Sequence, residues 1–396
     1  GPVVIGLPED ILHADGGPPP WRPVTPAKAA LDPAFTAAVA EELKQADQPL
    51  LVLGGSGWTD EAATAIADWS ERLGIPVALS FRRKDLIDND RSNYAGDLGL
   101  GPNPKLIQRV WDADLIIAIG ARLGENPTQG YTLFDRSEIG ERLIHIHPGP
   151  EELGRVWPTL LGATADNSLA ALALATLDPG RTWADEAAAA HADYQAFSTP
   201  VPVTGAVNMS ECMAHLAEAL PDDAIVTNGA GNFAAWLHRF HRHRARRTQL
   251  APTSGAMGYG YPAAVAAKSV HPDRDVICIA GDGDYLMTGQ ELATAVQYGI
   301  NTVTVVVDNG TYGTIRMHQE THYPGEQRTI ATDLRNPDFV RYAEAFGAFG
   351  VRCERTADFP AALEAGRDAG RPALVHLITS AEDIAPGRTI NGLRSR

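Results

Sequence analysis

The stretch VICIAGDGDYLMTGQEL, from Val276 to Leu292, decides the fold of this chain. Mostly apolar residues run directly into Gly-Asp-Gly-Asp, and a helix-like segment follows. This order predicts a buried strand whose carboxyl end presents two carboxylates, those of Asp282 and Asp284. A solvated turn and a metal ion would each explain acidic residues there, so the rest of the chain has to distinguish them.

Similar units surround this stretch on both sides. Short apolar runs that end in glycine or polar residues alternate with segments of helical periodicity along most of the chain. Such alternation predicts parallel sheets covered by helices on both faces. We therefore expect an α/β fold with two doubly wound parallel-sheet domains, the first of them Rossmann-like. The predicted strands are PLLVLGG, IPVALS, ADLIIAIGA, RLIHIHP, DAIVTNGAG, VICIAGDG, NTVTVVVDNG and PALVHLI.

Composition shifts predict the domain boundaries. Residues 1–27 combine the strand-like GPVVIGLPEDIL with a Pro-rich linker, and residues 28–178 form a central domain. An Ala-rich linker helix (179–204) leads to the second α/β domain (205–396). Within that domain, Thr288-Gly289-Gln290-Glu291 has the sequence of a capping box, so we expect it to start the helix after VICIAGDG.

The charge of the chain argues against two classes of partner. Its formal net charge of -16 disfavours nucleic acid and anionic membrane. One basic cluster, HRFHRHRARR (His238 to Arg247), interrupts this acidic background. We interpret it as a solvated helix end or an oligomer contact rather than an anion site.

Cysteine usage and hydropathy indicate the compartment. The three cysteines, Cys212, Cys278 and Cys353, form no CxxC pair, and Cys278 lies in an apolar run typical of a core. No apolar run approaches the roughly 20 residues of a membrane span, and no signal-like segment is present. We expect a cytoplasmic protein without disulfides.

A second loop supports a metal ion over a solvated turn. The run VTVVV delivers Asp308-Asn309-Gly310, and Asn309 follows Asp282 by 27 positions, the length of one helix and one strand. Such a βαβ unit can bring both strand ends together at one edge of a sheet. A carboxylate and an amide oxygen could then share a hard cation such as Mg²⁺. The glycines would let backbone N–H groups approach an anion.

Taken together, GDGDYLMTGQELATAVQYGINTVTVVVDNGTYG resembles the thiamine-diphosphate binding motif. TSGAMGYGYPAAVAA (Thr253 to Ala267) resembles a loop and helix of the acetolactate synthase-like group. GPVVIGLPEDIL resembles the end of that group's N-terminal pyrimidine-binding domain. The resemblance implies a further domain of roughly 150–170 residues before Gly1.

The resemblance also implies a cofactor site. Mg²⁺ would bind the side chains of Asp282 and Asn309 and the backbone carbonyl of Thr311. The N–H groups of Gly283 and Asp284 would hold the diphosphate. The other implied cofactor contacts are Gly231, Asn232, Phe233, Gly281, Tyr312 and Gly313.

Three residues are implied to act nearer the chemistry. The carbonyl of Gly255 would accept a hydrogen bond from the 4′-amino group of the cofactor, and Met257 would wedge between its two rings. A lone Met more often packs in a core, but the Gly-Ala-Met-Gly context favours the wedge. His318 stands where acetohydroxyacid synthases carry a tryptophan. It is a pocket candidate together with Tyr312 and Thr314, and its presence argues against a branched-chain biosynthetic role.

The implied reaction is decarboxylation or carboligation of a 2-oxo acid, for which the cofactor supplies the electron sink. The glutamate that activates the cofactor belongs to the pyrimidine-binding domain, on the same full-length chain or on a partner chain. We therefore expect this chain alone to bind the diphosphate without turnover. We also expect a homodimer or homotetramer, because the site needs two facing domains.

Several features leave alternatives open. Asp284 stands where relatives more often carry a small residue, and a carboxylate beside a diphosphate costs energy unless it turns away. The group's central domain sometimes binds FAD, but Leu53–Trp58 is no GxGxxG, so flavin is the less favoured alternative. A truncated, non-catalytic cofactor-binding module is the alternative function. A dehydrogenase is excluded by its missing fingerprint, and His145 and His147 are interpreted as structural.

Overall fold

The structure is a computed structural model that describes residues 3–17, 22–323 and 329–395. Gly1, Pro2 and residues 18–21 of the predicted Pro-rich linker lie outside the described residues. Within them the chain forms two six-stranded sheets, each with helices on both faces. The predicted fold class of two doubly wound parallel sheets is confirmed.

The first sheet has the strand order β3-β2-β1-β4-β5-β6, and all its neighbouring strands are parallel. This is the strand order of dinucleotide-binding Rossmann folds. Its strands are β1 (Pro49–Leu53), β2 (Val77–Ser80), β3 (Tyr94–Leu98), β4 (Leu115–Ile119), β5 (Leu143–His147) and β6 (Leu161–Thr164). The helices before and around it are α1 (Glu9–His13), α2 (Pro33–Gln45), α3 (Asp60–Leu73), α4 (Pro104–Asp112), α5 (Asn167–Leu174) and α6 (Ala184–Phe197).

The second sheet has the order β11-β12-β10-β9-β7-β8, again parallel throughout. Its strands are β7 (Ile225–Asn228), β8 (Gln249–Leu250), β9 (Val276–Gly281), β10 (Val303–Asp308), β11 (Phe349–Cys353) and β12 (Ala373–Ile378). Its helices are α7 (Met209–Ala219), α8 (Phe233–Phe240), α9 (Gly260–Val270), α10 (Asp282–Tyr285), α11 (Leu292–Tyr298), α12 (Gly313–His322), α13 (Phe339–Ala345), α14 (Phe359–Arg367) and α15 (Ile390–Arg394).

Local sequence explains these elements well. β1, β4 and β9 are buried along their whole length, as expected for apolar runs covered on both faces. Helix α3 starts where the Thr59 hydroxyl accepts the N–H of Ala62 and ends at Gly74, whose φ of 73° suits a left-handed cap. None of the described helices combines the length and the apolar character that crossing a membrane would require.

Val3–Leu7 pairs with no strand in the described part of this chain, and its side chains are exposed. That it ends the sheet of a preceding domain stays a prediction. The expected capping box is wrong. Thr288–Glu291 forms no capping box: the Thr288 hydroxyl donates to the carbonyl of Gly258, and a short 3-10 turn precedes α11. Thr288 therefore links two loops instead of starting a helix. The Ala-rich helix α6, predicted as a linker, packs on β3, with Tyr194 edge-on to Tyr94 at 4.6 Å between ring centroids.

The prediction that the basic cluster His238–Arg247 is a solvated helix end is wrong, and the alternative of an oligomer contact stays a prediction. The cluster forms the interface between the two domains, where the central domain inserts the segment from Arg82 to Asp90. Lys84 is buried and donates to the carbonyl of His241 at 3.1 Å. Arg244 pairs with Asp90 at 2.8 Å. The sequence pattern did not reveal these contacts, because the partners of the cluster in the central domain lie more than 150 positions away.

Candidate functional site

A cavity of about 230 Å³ opens at the carboxyl edge of the second sheet, between the loops after β7, β9 and β10. The helix after β7 packs on one face of the sheet and α11, after β9, packs on the other. The cavity thus lies where the winding reverses, which is where open parallel sheets bind ligands. Residues predicted from the sequence that line it are Gly231, Asn232, Phe233, Gly255, Met257, Gly281, Asp282, Gly283, Asp284, Asn309, Thr311, Tyr312 and Gly313.

Asp282 lies directly after β9 and is only 4% exposed. Its Oδ1 accepts the N–H of Gly283 at 2.8 Å, and its Oδ2 accepts the N–H of Gly310 at 2.9 Å. Burial raises the pKa of Asp282 to about 6, and the nearby charge of Asp308 adds to the effect. A cation would favour the ionised carboxylate, because opposite charge offsets the cost of burial.

The loop after β10 reaches the same point. The hydrogen bond from Gly310 to Asp282 joins the two strand ends that the sequence predicted to be neighbours, and β9 pairs with β10 in register. The side-chain oxygen of Asn309 accepts the N–H of Thr311 at 3.1 Å. Carboxylate, amide and backbone carbonyl oxygens are hard ligands that suit Mg²⁺.

This donor set is poor in charged ligands. In the described part of the chain no three His, Cys, Asp or Glu side chains gather as a metal site. A cation beside Asp282 would therefore need further oxygens from amides, backbone carbonyls and a bound anion. That need fits a metal that enters together with a diphosphate, since Mg²⁺ is usually held by one or two carboxylates and phosphates.

Asp284 points its carboxylate at two neighbouring loops. The carboxylate accepts the N–H of Ala230 at 3.1 Å and that of Gly258 at 2.8 Å. Burial raises its pKa to about 6. A Cβ at Gly229 would lie 2.0 Å from Asp284 Oδ1, so only glycine fits there. The acidic residue that the sequence flagged as unfavourable beside a diphosphate is thus engaged with backbone donors.

The floor of the cavity is glycine backbone flanked by aromatic rings. A Cβ at Gly281 would lie 2.7 Å from Phe233 Cδ1, and one at Gly283 would lie 2.4 Å from Tyr312 Cε1. Both positions therefore require glycine, because the backbone passes close to the two rings. Such close packing of glycine backbone is typical of loops that bind anions.

The turn after β7 brings Asn232 to the cavity, but its side chain is already occupied. Its Oδ1 accepts the hydroxyl of Thr314 at 2.9 Å, and its Nδ2 donates to the carbonyl of Ile384 at 3.0 Å. The backbone of Gly231–Phe233, at the start of α8, is what remains to meet a ligand. A helix N-terminus favours negative charge.

The loop before α9 forms another wall. Gly255 adopts a φ of 70°, a conformation that favours glycine, and Met257 is half-buried with its side chain at the cavity. The flanking residues 253–256 are exposed. Met257 therefore faces the cavity instead of packing in a core, as the predicted wedge requires.

His318 is the candidate that the structure does not bring to the cavity. It lies on α12, is exposed, and stacks on His322 with ring planes 3° apart. Thr314 and Ile315, one turn earlier on the same helix, line the cavity instead. The predicted role of His318 in a pocket therefore has no support from this chain's own cavity.

Two residues near the site, Asn336 and His376, were not among the candidates of the sequence analysis. Asn336 donates to Asp282 Oδ2 at 2.8 Å and to Asp308 Oδ1 at 2.7 Å. His376, on β12, contacts Asp308 Oδ2 at 2.8 Å. A buried His in the apolar run PALVHLI was the one available signal. Nothing in the sequence pointed to Asn336, which lies in an irregular segment before α13.

The glycine turn after β1 in the central domain packs directly against the loop after β4, so no gap separates the two loops. A Cβ at Gly55 would lie 2.3 Å from the carbonyl oxygen of Gly120, so the two loops at this switch point are in contact. Trp58 donates to the carbonyl of Gly54 at 2.8 Å, and Asn167 to that of Ser56 at 2.7 Å. His145 and His147, nearby, bond to the carbonyls of Ala121 and Gly149.

Comparisons with known proteins agree with this geometry. The family model "Thiamine pyrophosphate enzyme, central domain" matches residues 36–174, and "Thiamine pyrophosphate enzyme, C-terminal TPP binding domain" matches residues 229–377. The chain is 31% identical over 365 residues to an acetolactate synthase large subunit of Parasynechococcus marenigrum, covering 89% of this chain and 58% of that protein. It is 26% identical to the acetolactate synthase isozyme 2 large subunit of Escherichia coli, covering 98% of this chain and 70% of that protein.

A solved structure is similar as well. The thiamine diphosphate-dependent 4-hydroxybenzoylformate decarboxylase of Rhodococcus jostii RHA1 superposes with a TM-score of 0.73 at 26% identity, covering 91% of this chain and 66% of that chain. The chain belongs to the family of thiamine pyrophosphate-dependent enzymes, in its acetolactate synthase-like group, as the sequence motifs predicted. It spans 58% of the length of the first acetolactate synthase named above.

Proposed function

We propose that this chain is the cofactor-holding part of a thiamine-diphosphate and Mg²⁺ dependent enzyme that decarboxylates a 2-oxo acid or ligates the product to a second carbonyl compound. The observation that carries the proposal is the contact between Asp282 and the Asn309 loop through the N–H of Gly310, at 2.9 Å. This contact puts carboxylate and amide oxygens beside a glycine-lined anion cradle. The names of the similar proteins, acetolactate synthases and a benzoylformate decarboxylase, support the 2-oxo acid class.

The residues fit the cofactor in the following way. Asp282, Asn309 and the carbonyl of Thr311 would hold Mg²⁺. The N–H groups of the Gly231–Phe233 turn would hold the diphosphate, and that of Gly283 would join them on releasing Asp282 Oδ1. When bound, thiamine diphosphate supplies the electron sink that decarboxylation of a 2-oxo acid needs. The chain's own task is to bind the charged end, to orient it, and to place Gly255 and Met257 beside the rings.

The cavity lining supports an uncharged substrate side chain. Among the described residues that line it, none is Lys, Arg or His, whereas Phe233, Trp236, Met257 and Ile315 present apolar surface. Apolar surface of this kind suits an uncharged side chain on the 2-oxo acid, because burying a charged group without a partner is costly.

The remaining expectations concern the whole enzyme. Turnover would require a pyrimidine-binding domain, on the same full-length chain or on a partner chain, and a homodimer or homotetramer would bring the two domains together. A cytoplasmic location stays a prediction. Flavin is not part of the proposal, because the central switch point is closed.

The test is a calorimetric titration of thiamine diphosphate into the full chain with Mg²⁺ and again with EDTA. We expect metal-dependent binding in the wild type and its loss in Asp282→Ala. Asp273→Ala, an exposed carboxylate in the same domain, is the matched control and should bind like the wild type. Equal binding by Asp282→Ala and the wild type would disprove the assignment of the metal site.

A further inference from the structure

Behind the proposed metal site lies a second carboxylate that the proposed reaction does not use. Asp308 ends β10, and its side chain is 14% exposed. Its Oδ2 contacts His376 Nε2 at 2.8 Å, and its Oδ1 accepts a hydrogen bond from Asn336 Nδ2 at 2.7 Å. The same Asn336 nitrogen donates to Asp282 Oδ2 at 2.8 Å. One amide group therefore bridges two buried carboxylates.

This bridge has an electrostatic consequence. Two carboxylates that share a buried site repel each other, and the repulsion opposes the ionised form that a metal ligand needs. Each N–H of the Asn336 amide directs its partial positive charge towards an oxygen of one of the two carboxylates. His376 supplies a further hydrogen-bond partner for Asp308, at Oδ2.

We propose that Asn336 is a positioning residue for the Mg²⁺–diphosphate site. Its amide fixes the orientation of the Asp282 carboxylate and keeps Asp308 paired with His376 instead of with the cation. The inference rests on the proposed function, and it adds a residue that contacts neither cofactor nor substrate. Hydrogen-bond partners of metal ligands typically contribute 10–100-fold to metal affinity.

The fold around Asn336 does not depend on its side chain alone. The N–H of Leu334 donates to Gly310 at 2.8 Å, and the N–H of Tyr312 donates to Thr332 at 2.8 Å. Phe339, which follows on α13, is fully buried and packs edge-on to His376 at 5.1 Å. The segment stays anchored when the amide is removed, so Asn336→Ala should fold.

The experiment measures Mg²⁺-dependent thiamine diphosphate binding by calorimetry in the full chain, together with the unfolding temperature with and without both ligands. Asn336→Ala should bind at least about 10-fold more weakly and should lose most of the ligand-induced rise in unfolding temperature. Asn336→Leu keeps a similar shape without the N–H donors and should behave alike. Asn301→Ala, an exposed asparagine before the start of β10, is the control and should match the wild type.

A second step separates positioning from a merely structural role. Asp308→Asn removes the like charge, so adding it to Asn336→Ala should recover part of the lost affinity. Absence of any recovery would overturn the electrostatic role. Binding by both Asn336 variants within about twofold of the wild type would overturn the proposal altogether. A wild type without metal-dependent binding would instead overturn the proposed function itself, which is a separate result.

Discussion

The carboxylate of Asp284 accepts a hydrogen bond from the N–H of Gly258 over 2.8 Å. Because it also accepts the N–H of Ala230, one side chain on the β9 loop ties the β7 loop and the loop before α9 into a single wall. The cavity is thus assembled by a buried acid as well as by the backbone.

Replacing Asp284 should remove the hydrogen bonds that hold these loops of the cavity together. Asp284→Ala leaves two backbone N–H groups without their acceptor, and we expect the free energy of unfolding to fall by about 2–4 kcal/mol. Thiamine diphosphate affinity should fall with it, because the loops that cradle the diphosphate lose their common tether. Urea unfolding and calorimetry measure the two effects, with Asp273→Ala as control. If Asp284→Ala bound thiamine diphosphate with the affinity of the wild type, Asp284 would not be needed to hold these loops together.

The glycine floor predicts a steric effect. In Gly283→Ala the new methyl group would meet Tyr312 Cε1 at 2.4 Å, so either the ring or the loop must move. We expect a loss of about 1–3 kcal/mol in the free energy of unfolding and weaker cofactor binding. Gly124→Ala is the matched control, since a Cβ there meets nothing within 4 Å. Equal stability of the two variants would argue against a packed floor.

Substitutions at two positions on α12 should affect cofactor binding differently. Thr314→Val removes the hydrogen bond to Asn232 Oδ1, which measures 2.9 Å, and should weaken cofactor binding by freeing the turn at the start of α8. His318→Ala touches an exposed ring outside the cavity and should leave binding unchanged. Parallel titrations of both variants make the comparison. A larger loss in His318→Ala than in Thr314→Val would restore the pocket role that the sequence suggested.

The domain interface should make the protein sensitive to acid. Burial, with the nearby charges of Lys84 and Arg244, lowers the pKa of His241 to about 3. In the unfolded chain the same ring has a pKa of about 6.5. Between these values the unfolded state binds the extra proton, so stability is present above pH ~6.5 and falls as the pH drops.

The size of that slope can be measured. His241 alone should contribute about 1.4 kcal/mol per pH unit below pH ~6. His241→Phe should therefore show a shallower dependence of the free energy of unfolding on pH, whatever its stability at neutral pH. His238 and His243 are buried beside it and their pKa values are also lowered, so part of the slope should persist. Superimposable pH profiles would rule out this origin of acid sensitivity.

The closed switch point of the central domain predicts the absence of bound flavin. Gly55 and Gly120 are in backbone contact, and Asn167 fills the space beside them. We expect the purified protein to lack visible flavin absorbance and to take up no FAD on incubation. A yellow protein with stoichiometric FAD would show that flavin binds elsewhere in the central domain.

Much of the fold could be predicted from the sequence, because its strands are short apolar runs that end in glycine or polar residues. Helix α3 has its caps in the sequence too, since Thr59 precedes Asp60 and Gly74 follows Leu73. β8 was missed because it has two residues, and the apolar Val3–Leu7 pairs with no strand that the structure describes in this chain. Local pattern determines an element only when the fold supplies its neighbour.

The candidate site could likewise be predicted only in part from the sequence. Asp282 and Asn309 lie in contiguous motifs, so their spacing predicted that the two strand ends are neighbours, and the family resemblance implied the glycines. Asn336 and the basic cluster act through contacts with residues distant in the chain, and no local pattern marks such contacts. His318 was suggested because it stands where acetohydroxyacid synthases carry a tryptophan, but it lies one turn beyond Thr314 on α12, where its ring is exposed and stacks on His322.

Lys84 has one further consequence. It caps the carboxyl end of α8, whose opposite end opens onto the cavity at Phe233. An eight-residue helix spans roughly 12 Å, so α8 connects the domain interface, at its carboxyl end, to the wall of the cavity, at its amino end. A change in how the central domain sits on α8 would therefore also move the cavity wall at Phe233.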